Sequence, residues 1–239
     1  MLRAFSAVYW VFVSLTMPLF FAGALLVLAA TILFDRRRVA LHIYSCFWAS
    51  FYVYANPLWR CRVVGREKLP WRGPAVIVAN HLSLVDILVL YGLYRPFKWV
   101  SKAELFRVPF VGWNMSINRY VSLARGDPES IRKMWARCLE LLSQGSPVLI
   151  FPEGTRSDTG RLQAFKNGAF KLAVEARCPL IPVAITGTAE TLPKRGLVLR
   201  NRMDARVTVL EPLDPAAFAT SADLREAARA AIAAAIGAS

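Results

Sequence analysis

No charged side chain occurs between Ala4 and Phe34, and this run of thirty-one residues constrains the fold more than any other stretch of the 239-residue chain. A helix needs about 20 apolar residues to cross the hydrocarbon core of a bilayer, whereas a helix on a soluble domain carries a polar face. Arg3 precedes the run and Asp35-Arg36-Arg37-Arg38 follows it. A second apolar stretch, Val39 to Trp59, has only His42 and Asn56 as imidazole or amide groups and is dense in aromatics, with Tyr44, Phe47, Trp48, Phe51, Tyr52, Tyr54 and Trp59. The pair is expected to form a membrane-associated helical hairpin over residues 1–59. A cleavable signal peptide is the poorer reading, because the first run exceeds a signal's apolar region and no small-residue cleavage site precedes a polar start.

Charge indicates how such a hairpin would sit. Cations lie between the two stretches, at Arg36 to Arg38, and after them, at Arg60, Arg62, Arg66 and Lys68. If both helices crossed, the first cluster would face the non-cytoplasmic side, against the positive-inside rule. A re-entrant or interfacial hairpin instead places all these cations beside one anionic leaflet. Pro18 and Gly23 would permit a break in the first helix, and the aromatics of the second suit the headgroup zone. Insertion in one leaflet is therefore the expectation.

The whole chain carries +14 with 56% hydrophobic residues. That apolar content excludes disorder. The four cysteines, Cys46, Cys61, Cys138 and Cys178, are scattered, which excludes a disulfide framework and any Cys-x-x-Cys or Cys/His metal site. Nucleic acid would suit the charge alone, yet no helix-turn-helix, zinc-finger or aromatic RNA-binding signature accompanies it. Residues 1–70 hold +6, residues 71–202 hold +10 and residues 203–239 hold −2.

Beyond Arg60 the texture changes to short β-rich runs alternating with helical stretches. Residues 61–65, 75–79, 99–100, 120–123, 148–151, 180–185 and 206–210 are expected as strands, and 83–93, 128–144, 168–176 and 221–236 as helices. The alternation predicts an α/β domain over residues 60–239, with a largely parallel sheet flanked by helices. Its ligand site should lie beyond the carboxyl ends of the strands.

Of two histidines, His42 lies inside the apolar hairpin and reads as a headgroup or packing residue. His81 follows the strand Ala75-Val-Ile-Val-Ala79, in Asn80-His81-Leu82-Ser83-Leu84-Val85-Asp86. Ser83 with Asp86 three residues on can be a local capping box. Equally, Asp86 in the first helical turn can reach back to His81, fix its tautomer and stabilise the imidazolium formed on proton abstraction. A second segment, Val148-Leu-Ile-Phe-Pro-Glu-Gly-Thr-Arg-Ser157, runs from an apolar strand into Glu153, Gly154, Thr155 and Arg156. A close-approach glycine beside a guanidinium and hydroxyls suits an anionic group such as a phosphate, although Glu153 and Arg156 could simply pair in a surface turn. No Walker loop, Gly-x-Gly-x-x-Gly turn or Gly-x-Ser-x-Gly elbow is present.

Asn80-His81-x4-Asp86 and Phe151-Pro-Glu-Gly-Thr-Arg-Ser157 resemble two signature blocks of the glycerolipid acyltransferases, specifically the 1-acylglycerol-3-phosphate O-acyltransferases. Lys102-Ala-Glu-Leu105 with Val108-Pro109, Gly112 and Ile117-Asn118-Arg119 resembles the block between them. Phe165-Lys166-x-Gly168 and Leu180-Ile-Pro-Val-Ala-Ile185 resemble the segments that follow. The resemblance implies that His81 deprotonates the free hydroxyl of a lysophospholipid, that Asp86 orients it, and that the hydroxyl attacks an acyl thioester without an acyl-enzyme. It implies a phosphate held by Arg119, Arg156 and Lys102, and an acceptor site shaped by Glu153, Gly154 and Thr155. No cofactor is implied, only a co-substrate, acyl-CoA or acyl-acyl carrier protein. The partners implied are an anionic bilayer leaflet and that donor, at the cytoplasmic face of a bacterial inner membrane. Glycerol 3-phosphate, another lysophospholipid or a lyso-aminolipid remains open as acceptor, and so does a non-enzymatic basic protein that binds acidic membranes.

Overall fold

The computed structural model describes residues 2–157, 160–192, 198–199 and 202–237. A seven-stranded sheet is built from β1 (Trp59–Val64), β2 (Val76–Ala79), β3 (Lys98–Lys102), β4 (Val121–Leu123), β5 (Val148–Ile150), β6 (Leu180–Thr186) and β7 (Met203–Val209), in the order β1-β7-β6-β2-β5-β3-β4. From β6 to β4 every neighbour is parallel, as expected. β7 runs antiparallel to β6 and carries β1 parallel to itself. Among the described residues no helix stands between β6 and β7, the element that usually carries the crossover to a parallel neighbour.

Alternation along the strands divides the core in two. Ile77, Trp99, Leu149, Ile181 and Val207 face a cluster covered by α1 (Leu2–Thr31), α2 (Val39–Ala55), α3 (Val85–Tyr91) and α4 (Val111–Ile117). Val76, Val78, Val148, Leu180 and Ala184 face the other, covered by α5 (Pro128–Ser143), α6 (Gly168–Glu175) and α7 (Ser221–Gly237). Asp127 caps α5 by accepting from Glu129 N at 3.0 Å, with Pro128 in the first turn.

α1 passes through Pro18 without ending, and Gly23 serves contact rather than a break: a Cβ there would lie 2.1 Å from Tyr44 Oη. α1 and α2 run antiparallel, with Tyr9 Oη donating to Tyr52 O at 2.7 Å near one end and Phe20 stacked on Trp48 at 5.7 Å further along. Their environments differ sharply. Nine of the seventeen residues of α2 are buried, Trp48 and Tyr52 included, so those two aromatics line the protein interior, while Phe47 and Tyr54 are more than half exposed. His42 is a packing residue, its Nδ1 2.7 Å from Tyr120 Oη and its ring edge-on to Phe97. α1 buries only Ser6, Tyr9, Val13 and Ala24. Val8, Leu15, Leu19 and Leu26 are each about 70% exposed and recur at seven-, four- and seven-residue steps, which sets them in one apolar stripe. Among the described residues α1 alone is long and apolar enough to cross a membrane.

Candidate active site

Three neighbouring parallel strands deliver the site at their carboxyl ends. β2 ends two residues before His81, β5 three before Glu153, and β6 two before Thr188. Because Val76 pairs with Val148, His81 and Glu153 stand at the same height above the sheet. Asn80 fastens this end: Nδ2 donates to Ile185 O at 2.9 Å and Oδ1 accepts from Ile185 N at 2.8 Å, joining β2 to β6 through a side chain.

Asp86 is fully buried and its carboxylate is saturated. Oδ2 accepts from Leu82 N at 2.6 Å and Ser83 N at 2.8 Å and lies 2.9 Å from His81 Nδ1; Oδ1 accepts from Thr188 Oγ1 at 2.5 Å. An ionised carboxylate only accepts, so Nδ1 is the donor in this pair, and in the neutral imidazole the lone pair falls to Nε2. The ring plane is held by Phe151, stacked at 4.0 Å between centroids and 10° between planes. Only half of a capping box forms. Asp86 takes Ser83 N, but Leu84 is the N-cap of α3, and Ser83 Oγ receives Val85 N at a long 3.4 Å. The aspartate is thus a helix cap and a histidine partner at once.

Glu153 is buried, and both oxygens accept backbone N–H groups, His81 N at 2.7 Å and Gln163 N at 3.1 Å. Burial raises its pKa, opposed by those two hydrogen bonds. Ser157 N donates to His81 O at 2.9 Å, so the backbone of His81 is clamped from both sides by the Glu153–Ser157 loop. Glu153 therefore holds the backbone of His81. Gly154 has φ +73, and a Cβ there would meet Lys166 Nζ at 3.0 Å. Thr155 is exposed and Arg156 half-buried in the same loop. Lys102, at the end of β3, stands at this end of the sheet, exposed and paired with Glu104 at 2.8 Å.

Arg119 is not brought here. Val100 pairs with Val121 and Lys98 with Val148, which places Arg119 level with the amino ends of the strands. That is about five residues, roughly 17 Å, below His81 along the strand direction. There Arg119 Nη1 donates to Arg36 O at 3.4 Å. Strand direction, which a spacing of motifs does not reveal, separates it from the site.

An apolar cavity of ≈ 410 Å³ is lined in part by Leu84 and Val85, three and four residues beyond His81. Leu84, Val85 and Leu88 around α3 form one wall, Trp99, Leu105 and Val108 another, and Tyr9, Trp10, Val13, Trp48 and Tyr52 of α1 and α2 its far end. No group of three or more His, Cys, Asp or Glu side chains able to hold a metal occurs among the described residues.

A family model described as acyltransferase matches residues 60–186. The chain belongs to the acyltransferase family. Its sequence is 39% identical over 195 residues to a chloroplastic 1-acyl-sn-glycerol-3-phosphate acyltransferase of Brassica napus, covering 81% of this chain and 55% of that protein. It is 33% identical over 178 residues to a 1-acyl-sn-glycerol-3-phosphate acyltransferase of Pseudomonas aeruginosa, covering 73% of this chain and 68% of that one. The chain spans little more than half the length of the plant and algal relatives it matches. In structure it is similar to the 1-acyl-sn-glycerophosphate acyltransferase of Thermotoga maritima, with TM-score 0.77, 26% identity and coverage of 97% of this chain and 95% of that one.

The acyltransferase match ends at residue 186, two residues short of Thr188, and Thr188 is also the site residue that motif reading missed. Its signal was positional. Ile185-Thr186-Gly187-Thr188 leaves the carboxyl end of a predicted strand, and Gly187, at φ +77 with Asp204 O 2.0 Å from any Cβ, turns the chain so that Thr188 meets Asp86. Lys166 and Phe151 stood inside resemblance blocks without a role; packing against Gly154 and His81 assigns their positions.

Proposed function

We propose that this acyltransferase family member esterifies the free hydroxyl of 1-acylglycerol 3-phosphate with an acyl group from a coenzyme A or acyl carrier protein thioester. The observation that carries the proposal is the His81–Asp86 pair, with Nδ1 committed to a buried, saturated carboxylate and Nε2 left as base. Nε2 removes the hydroxyl proton as the oxygen bonds to the thioester carbon. The C–S bond then breaks, and the proton passes from the imidazolium to the departing sulfur. The products are a diacylglycerol 3-phosphate and a free thiol, and no covalent enzyme intermediate is needed. Asp86 stabilises the imidazolium and holds its tautomer, the part such a carboxylate plays in other His-dependent acyl transfers. Arg156, with Lys102 and Lys166 near the same rim, supplies cations for the acceptor phosphate. The cavity behind α3 is of a size and polarity suited to an acyl chain. The four cysteines are poor nucleophiles by contrast: burial raises each thiol, Cys61 and Cys178 to about 11.

The same reading places the protein on one leaflet, at the cytoplasmic face of the inner membrane. It is supported by α1, whose apolar stripe points outward while its other side is packed on α2, an arrangement that suits a helix lying in an interface. The test is product analysis with defined acceptors and both donor types. Lysophosphatidic acid should give phosphatidic acid, and His81→Ala should lower kcat by at least a thousand-fold. A His81→Ala protein as active as the parent would refute the mechanism. Vesicle binding by a parent that transfers no acyl group to any acceptor would favour a purely membrane-binding role.

A further inference from the structure

Phe21, on one flank of α1, packs against Phe110 at 5.9 Å and Trp113 at 5.6 Å, and those two rings pack on each other at 5.0 Å. The segment that carries them projects apolar side chains outward: Val108 is 41% exposed, Val111 38% and Trp113 46%, with Pro109 exposed among them. Two backbone features shape it. Phe110 has φ 60, a conformation few non-glycine residues adopt, and it turns the chain sharply into α4. Gly112 lets α4 close on the preceding turn, where a Cβ would lie 2.3 Å from Phe106 O. Phe110 is thereby folded toward α1, Trp113 packs on the same Phe21 with nearly half its surface exposed, and Val111 faces outward.

This exposed surface is continuous with the face of α1 through Phe21, and Arg107 stands exposed at its edge. Contiguous exposed apolar surface marks a binding face, and a tryptophan beside a cation suits the boundary between headgroups and acyl chains. Val108, Val111 and the exposed Leu84 also line the apolar cavity, so the outer patch and the cavity wall share side chains. We propose that residues 108–113 form a second membrane wedge beside α1, inserted at the headgroup boundary of an anionic bilayer, and that the lipid acceptor passes from the bilayer into the cavity along it. The wedge stands on surface geometry; the passage of the acceptor rests on the acyl-transfer reading.

The test places a single environment-sensitive label on the 239-residue chain in a Cys61→Ser background, where the remaining cysteines are buried. Trp113→Cys carrying a nitrobenzoxadiazole group should show blue-shifted, brighter emission on adding anionic phospholipid vesicles, and quenching by lipids spin-labelled high on the acyl chain. The same label at Val174→Cys, on α6 across the sheet, should not respond. A label at 113 that responds no more than the label at 174 overturns the wedge. In parallel, Trp113→Asp should reduce transfer to a vesicle-embedded acceptor at least tenfold and leave transfer to a water-dispersed short-chain acceptor unchanged. Equal loss with both acceptors, or loss with neither, overturns the passage. A parent that acylates neither acceptor removes the acyl-transfer reading and leaves the label to decide the wedge.

Discussion

His81 is fixed by what surrounds it. Its ring is held by Asp86 on one nitrogen and Phe151 on one face, and its backbone by Glu153 and Ser157. Asp86→Asn substitutes an amide that cannot accept all four hydrogen bonds and can leave His81 in the wrong tautomer; removing the equivalent charge in a serine protease triad costs about 10⁴ in kcat. A loss of about a thousand-fold or more is expected, measured as kcat at saturating acceptor. Thr188→Val removes a single hydroxyl bond to the same carboxylate, and hydrogen bonds to charged groups contribute about 1.5–3 kcal/mol. The expected outcome is a roughly tenfold lower kcat with KM changed less than twofold; a change confined to KM would mean that Thr188 touches the acceptor instead.

Elements carry a different lesson. The two N-terminal stretches look alike in sequence, both long and uncharged, yet α2 is an interior helix and α1 an outer one. The distinction comes from neighbours. α2 is pinned to the domain by a polar network invisible to hydropathy: His42 to Tyr120, and Ser45 accepting from Asn114 Nδ2 at 3.0 Å and Asn118 Nδ2 at 3.2 Å. α1 reaches the domain chiefly through α2, at a contact made close by Gly23. Gly23→Leu overpacks that contact, at a typical cost of about 1–3 kcal/mol. A melting temperature lower by several degrees is expected, read by circular dichroism in detergent, with the His81–Asp86 pair untouched. An unchanged melt would show that α1 can shift along α2 without loss.

At the scale of the whole molecule the two ends of the sheet differ. The carboxyl ends of β6, β2 and β5 hold the histidine, and the amino ends hold a cationic layer in which Lys98 is nearly buried, its Nζ donating to Asn118 O at 2.8 Å. Burial lowers Lys98 to about 7, with Arg119, Arg137 and Arg38 adding to the depression against Asp35. Because the folded value lies below the unfolded one, the charged lysine burdens the fold fully below pH 7, and the burden is relieved as pH rises from about 7 toward 10.5. The stability of the parent relative to Lys98→Met should therefore increase between pH 7 and pH 9 in denaturant titrations; a pH-independent difference would show that Lys98 stays charged throughout. The sequence by itself determined the alternation of strands and helices, the apolar N-terminal run and the His81–Asp86 pair, because periodicity and short-range spacing are local properties of the chain. Only the tertiary structure decided that β7 and β1 reverse, that Arg119 lies at the far end from His81, that α2 turns inward, and that Thr188 completes the carboxylate's shell. Each of these depends on strand direction or on partners more than seventy residues apart, where no local pattern carries the information and packing alone selects the neighbour.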